Sequence, residues 1–347
     1  MTEAILVPAE ILAARLLQVL TETGASAESA EAATKAMMHG SRIGIDSHGV
    51  RLVAHYVSVL KSGRVNPRPS IVTRRTAAAT AVVDGDDGLG HLTGYRAMEA
   101  AVEIARDSGV GAVGAIRSSH FGAAGAYALV AAEHGMIGFA TTNGDSIVAP
   151  FAAAEAFHGT NPLAFAAPVA GEKPWLFDMA TSSIPFNRVL LFRSLQKLLP
   201  EAVAADAAGT PTQDPQVAEM LMPLGGAGFG FKGAGLGGVA TLLSAILMGM
   251  TLDHAMIPMI GAADVQTPRG MGHFFLAIDP ERFGGSAMFA SGMRDYLVAL
   301  RSVPPNAEGQ AVMAPGDREW RIEGQRLQDG IPIDPETAAF LGLGTRA

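Results

Sequence analysis

Arg117-Ser-Ser-His-Phe-Gly122 joins two segments of opposite character, and its reading decides the fold. Before it, residues 110–116 form the apolar run Val-Gly-Ala-Val-Gly-Ala-Ile, bounded by Gly109, and read as a buried strand. After it, residues 122–134 are rich in Ala, Leu and Tyr and are followed by Gly135, which reads as a helix with a glycine C-cap. His120 therefore stands where a strand hands over to a helix. Free N–H groups and partial positive charge gather at a helix N-terminus and favour a neutral imidazole. Such a group can trade a proton with a substrate oxygen near neutral pH. The competing reading is a histidine that only caps the turn.

Working outward, strands are expected at 77–84, 136–142, 163–168, 175–182 and 272–279, and helices at 8–23, 26–38, 95–107 and 286–301, giving an α/β chain. Residues 66–75 and 200–215 read as linker and loop. Glycines 88, 90 and 94 lie between a strand and a helix but are one residue off the dinucleotide fingerprint. Gly228, Gly230 and Gly233 match it literally, yet no strand precedes them. No Rossmann domain is assigned.

The chain has 347 residues, 49% of them apolar, which is enough for a substantial core and excludes general disorder. Its formal charge of −8 argues against nucleic acid or an anionic membrane as partner, so an anionic substrate must find local cations. The absence of cysteine excludes disulfides, thiolate metal sites and a cysteine nucleophile. No H-E-x-x-H or G-x-S-x-G occurs, so a zinc or serine hydrolase is not indicated and no metal is expected. No secretory signal is visible. The uncharged stretch after Lys232 is long enough to span a bilayer but opens on glycines, and reads as a glycine loop feeding a buried helix. A cytoplasmic protein is the expectation.

Three further stretches carry polar chemistry. Asp46, Ser47, His48, Arg51 and Tyr56 crowd together, and on a helix beginning near Ser47, His48, Arg51 and His55 share roughly one side, with Tyr56 near it. They form either a solvated face or a pocket, with Arg51 as a fork for a carboxylate and His48 and Tyr56 as donors. Asp178 follows Leu-Phe in the expected strand 175–182 and could hydrogen-bond a ribose or amide, or cap the next segment. Lys232, one cation in a glycine run at a helix entrance, suits phosphate.

Taken together, the motifs resemble the malate/L-lactate dehydrogenase family, which is distinct from the Rossmann-type lactate dehydrogenases and includes ureidoglycolate dehydrogenase, diketogulonate reductase and piperideine-2-carboxylate reductase. The matching pieces are Gly44-Ile-Asp-Ser-His-Gly-Val-Arg51 with Tyr56, Asp84 to Gly90, Ser119-His-Phe-Gly122, Gly159-Thr-Asn-Pro162, Phe177 to Ser182, Lys232-Gly-Ala-Gly235, Gly272 to Pro280 and Pro315-Gly-Asp317. They occur in family order over nearly the whole chain.

The resemblance implies a non-Rossmann NAD(P)-binding fold, with a mainly antiparallel sheet flanked by helices and a helical N-/C-terminal domain. Residues 1–75 with 300–347 would form the helical substrate and dimer domain, and 76–299 the cofactor domain. It implies a homodimer that uses NAD or NADP to interconvert a small 2-oxo acid and 2-hydroxy acid, or to reduce a cyclic imino acid; the reading from another class is a catalytically silent homo-oligomer that binds dinucleotide. His120 falls on the catalytic proton donor and acceptor, and His48, Arg51 and Tyr56 fall in the substrate region. Gly144, Asp145, Thr160, Asn161, Asp178, Met179, Ala180, Lys232, Gly316, Asp317 and Arg318 fall on cofactor surroundings. Ala152-Ala153 and Asn187-Arg188 depart from the family pattern and leave the choice of NAD or NADP open.

Overall fold

The computed structural model describes residues 4–344. A seven-stranded sheet dominates it: β2 (Val72–Ala77), β3 (Thr80–Asp84), β4 (Val110–Ser118), β5 (Ile137–Thr142), β6 (Leu163–Ala167), β7 (Trp175–Met179) and β11 (Met271–Ile278). Their order is β2-β3-β4-β11-β5-β6-β7, and only β3 and β4 run parallel. The mainly antiparallel sheet is thus present. β11, the last of these strands in sequence, fills the centre between β4 and β5, with Phe274 opposite Gly114 on one side and Thr141 on the other.

Helices α4 (Gly90–Ser108) and α5 (Gly125–Glu133) cover one face. They can lie very close to the sheet because glycine stands beneath them: a Cβ on Gly111 would meet the Ala101 carbonyl oxygen at 2.0 Å. Met98, Ala101, Tyr127, Ala128, Val113 and Phe275 make the core there. Burying one such large apolar side chain stabilises by about 1.5–3 kcal/mol.

On the other face, Ala240 of α7 (Gly226–Thr241) packs with Phe139 and Leu163. The expected glycine loop before this helix is itself helical. Gly225 forms a left-handed cap, and the glycines that follow let the helix press against Leu224, which a Cβ on Gly233 would strike at 2.3 Å. Nor is the helix buried all round: Leu236, Val239, Leu242 and Ile246 are exposed. By length and composition alone, Gly226–Ile246 could cross a membrane.

A second core joins the chain's two ends. α1 (Ala9–Glu22), α2 (Ala27–Arg42), α3 (Val53–Lys61) and α10 (Pro335–Phe340) pack through Leu12, Leu16, Met37, Val53, Tyr56 and Leu341. β1 (Ile5–Val7) pairs antiparallel with β12 (Ile331–Ile333). α6 (Phe186–Leu195) precedes a small three-stranded sheet of β8 (Ala204–Ala205), β9 (Pro211–Thr212) and β10 (Met220–Leu221), the first two within the segment read as loop. α8 (Ser286–Arg301) and α9 (Asp317–Asp329) complete the chain. The segment read as a linker, 66–75, also differs, because β2 begins within it. Its residues are all exposed, as on a sheet edge, so no alternation of apolar side chains announces it.

Candidate active site

Arg117, the last residue but one of β4, has a φ of 47° that turns the chain sharply. Its guanidinium pairs with Asp84 at 2.8 Å and Asp86 at 3.2 Å, which ties the ends of β3 and β4 together. Two residues on, the Ser119 hydroxyl donates to the Gly88 carbonyl at 2.9 Å and accepts from Gly90 N–H at 3.0 Å. On the other flank His273 of β11 bridges the Ser118 hydroxyl and the Thr142 hydroxyl, each at 2.7 Å, and stacks on Phe121 at 4.5 Å. His120 is thus carried on a turn fixed on both sides. The helix after it begins at Gly125, so the imidazole sits a short loop before the helix and not at its first turn.

Tyr56 reaches His120 from α3, with its hydroxyl 2.8 Å from Nδ1. The His48 ring lies 5.8 Å from the His120 ring, nearly parallel, with its own Nδ1 3.0 Å from the Ser47 hydroxyl. His91 meets Tyr56 edge-on at 4.5 Å, with neither of its ring nitrogens hydrogen-bonded. Burial, then the neighbouring His48, His55, Arg269 and His91, hold the His120 imidazolium well below the ordinary histidine range. Burial alone raises the Tyr56 phenol above its ordinary range. Both groups are therefore neutral at pH 7.

The polar stretch 46–56 does not form one helix. Asp46–His48 and Val50–Leu52 are single 3₁₀ turns, and α3 starts only at Val53. Gly49 breaks the path because its Cα lies against Ser41, whose hydroxyl accepts from Val50 N–H at 2.9 Å. This sends His48 and Tyr56 to the imidazole, while Arg51 turns outward. Its side chain is 62% exposed and stands 4.0 Å from Asp334. Two arginines that sequence reasoning passed over, Arg64 and Arg269, line the crevice beside His120 instead. Their only sequence signal was charge, which most surface arginines share.

The other expected residues fall in three places. Asp178 and Gly316 line a cleft of about 310 Å³ with Ile43, Ile45, Leu176 and Pro315. Asp178 accepts from Gly125 N–H at 2.7 Å and so caps α5; burial, offset by that bond and aided by Glu319, pushes it up to about 6. Met179 and Ala180 follow at the end of β7. Asp317 is held by Arg301 and accepts from Ala314 N–H, while the Arg318 side chain is exposed beside Glu319.

Gly144 and Asn161 lie close together around a buried carboxylate, Asp253, that sequence reasoning missed. Asp253 accepts from Asn143 Nδ2 at 2.8 Å, Asn161 Nδ2 at 2.8 Å and Gly159 N–H at 3.0 Å. A Cβ on Gly159 would meet the Gly144 Cα at 2.8 Å. Thr160 joins through its carbonyl, which accepts from Thr181 N–H at 2.8 Å. Asp145 pairs with Arg269 and accepts from Met259 N–H.

Lys232 is exposed in the second turn of α7, its Nζ 5.2 Å from the Phe229 ring. The phosphate cradle expected at the helix entrance is not what this lysine occupies, because the helix starts six residues earlier, at Gly226. No group of three or more metal-binding side chains exists among the described residues.

Residues 7–341 match the family model for malate/L-lactate dehydrogenase. The chain belongs to this family. It is 36% identical to the malate dehydrogenase of Pyrococcus horikoshii over 335 residues, covering 94% of this chain and 91% of that protein. It is 36% identical to the L-sulfolactate dehydrogenase of Methanocaldococcus jannaschii, covering 92% of this chain and 90% of that one. The solved structure of the Pyrococcus malate dehydrogenase superposes with a TM-score of 0.87 at 33% identity, over 99% of this chain and 97% of that chain. Fold and family thus agree with the mixed α/β architecture, and the family is one of oxidoreductases.

Proposed function

We propose that the chain is an NAD(P)-dependent oxidoreductase that interconverts a small 2-hydroxy acid and 2-oxo acid, with His120 as the acid and base. The observation that carries this is the 2.8 Å contact between Tyr56 and Nδ1 of a partly buried, neutral imidazole. In the base-competent tautomer, Nδ1–H donates to the Tyr56 oxygen and Nε2 keeps its lone pair for the substrate hydroxyl. His48 stands next to that nitrogen's ring and can donate to the same substrate oxygen.

The Asp178 cleft fits a nucleoside. Its volume is at the lower end of ligand pockets, its walls are Ile43, Ile45, Leu176 and Pro315, and the Asp178 and Glu319 carboxylates can accept from ribose hydroxyls. Gly316 is needed there, since a Cβ would meet the Trp320 indole nitrogen at 2.8 Å. NAD(P), when bound, supplies the carbon that gives or takes the hydride. Burial of the imidazole limits water around His120 and leaves proton transfer to that one side chain.

The exposed apolar side of α7, with Leu236, Val239, Leu242 and Ile246, is the face we assign to the second subunit of a homodimer. Sedimentation of the native chain tests this, and a monomer at micromolar concentration refutes it. The catalytic reading is tested by following reduced nicotinamide absorbance with a panel of 2-oxo acids. No turnover with any of them, using either cofactor, refutes it.

A further inference from the structure

Two turns flank the crevice beside His120, and one buried side chain ties them together. The first turn carries His120 and follows Ser118, the last residue of β4; the second, residues 143–145, follows Thr142, the last residue of β5. β11 lies between those two strands. His273 of β11 has no exposed surface, and its ring nitrogens meet the Thr142 and Ser118 hydroxyls at 2.7 Å each, one on either side. Its face lies on Phe121, the residue after His120, at 4.5 Å and 11°. The second turn reaches the same crevice, because Asp145 pairs with Arg269, which lines it together with Ser118 and His120.

The backbone is bent to suit this bridge. Met271 stands opposite Ser118 and His273 opposite Ala115, so Ile116 and Arg117 of β4 face the single Gly272 of β11. Such a bulge re-aims the side chain beside it, here Ser118 towards His273. Burial pushes the His273 imidazole down to about 3, so the ring is neutral, with one N–H and one lone pair. One hydroxyl must accept and the other donate, which makes the bridge directional. Stability gives little reason for it, since an apolar group of the same shape in place of a buried polar pair can be nearly neutral.

We propose that His273 is a positioning residue that sets the spacing between the His120 turn and the 143–145 turn and, through Ser118 and Phe121, the direction of the His120 ring. The imidazole and the carbon that carries the hydride must address one substrate carbon and its oxygen together, and an error of about 1 Å between them can cost about a hundredfold. This rests on the readings of His120 as acid and base and of Gly144 and Asp145 as cofactor surroundings. It adds the residue that holds the two in step.

The test uses the full chain, reduced nicotinamide and a 2-oxo acid that the native protein reduces. His273→Phe keeps an aromatic ring against Phe121 and removes both bonds; His273→Gln restores one donor and one acceptor. H273F is expected to lower kcat about tenfold or more, with KM for the oxo acid nearly unchanged, and H273Q to recover part of the loss. Ser118→Ala removes one arm of the bridge, so S118A/H273F should be no slower than H273F. Native kcat in H273F, or losses that simply multiply in the double variant, overturns the proposal. Ring orientation is read without turnover, from the ¹⁵N resonances of His120, assigned by their loss in His120→Gln. Nδ1 is expected to carry the proton in the native chain, and H273F or S118A to mix the two tautomers. A His120 signal unchanged in S118A overturns the proposal even if H273F fails to fold. A changed signal in a chain that turns over no oxo acid refutes the dehydrogenase reading and leaves the positioning role standing.

Discussion

Tyr56 and His120, 64 positions apart in sequence, meet at 2.8 Å between the phenol oxygen and Nδ1. The contact joins the helical core of the chain's ends to the rim of the sheet. It also decides which imidazole nitrogen remains for chemistry. His120→Ala is expected to lower kcat by about 10²–10⁴ while cofactor affinity, read by nicotinamide fluorescence, stays within a few-fold. Tyr56→Phe keeps the ring and removes one hydrogen bond, so kcat is expected to fall about fivefold to tenfold. A His120→Ala protein with native kcat removes the acid–base assignment.

The low proton affinity of His120 sets a pH dependence. Its folded value is well below the ordinary one, so the imidazole is neutral near neutral pH and above, the form that could act as a base. Oxidation of a hydroxy acid should be flat in kcat across that range and decline only at acid pH. Reduction needs the imidazolium, so its rate should rise as pH falls. Steady-state profiles in both directions check this, and parallel profiles would contradict it.

Asp178 gives the opposite case in the stability of the unliganded chain. Its folded value, about 6, is above the ordinary aspartate value of 3.8. The folded state therefore binds more protons between these values, and this group's contribution is complete below pH 4 and is lost as pH rises through 6. Denaturant melts at pH 4.5 and 7 should show Asp178→Asn gaining relative stability at the higher pH. A difference between variant and native protein that does not change with pH would show that the carboxyl is not perturbed.

Asp253 is 1% exposed and satisfies Asn143, Asn161 and the Gly159 N–H at once. Asp253→Ala leaves the buried Gly159 N–H without its acceptor and takes one partner from each of Asn143 and Asn161, and should destabilise by about 3 kcal/mol or more. Urea unfolding measures this directly, and a loss under about 1 kcal/mol would mean that water replaces the carboxylate.

Gly90 lies under the Ser119–His120 turn, where a Cβ would sit 2.0 Å from the Ser119 carbonyl oxygen and 2.9 Å from that of His120. Gly90→Ala must displace that turn. It is expected to lower kcat at least tenfold, because misplacing a catalytic group by about 1 Å can cost about a hundredfold. Kinetics of the folded variant decide the matter, and native kcat would mean that the turn yields without moving His120.

The sequence by itself determined the sheet strands with apolar runs, the strand-to-turn placement of His120, the family, and the cap role open to Asp178. These are local signals, carried by hydrophobic period, glycine punctuation and contiguous motifs. Edge strand β2 left no such signal, since none of its side chains is buried. Tertiary structure alone decided that α7 starts before Lys232, that Gly49 turns Arg51 outward, and that Arg64, Arg269 and Asp253 surround the expected residues. Side-chain direction after a broken turn, and the pairing of charges hundreds of residues apart, depend on what the folded chain packs beside them; neither is written in spacing along the chain.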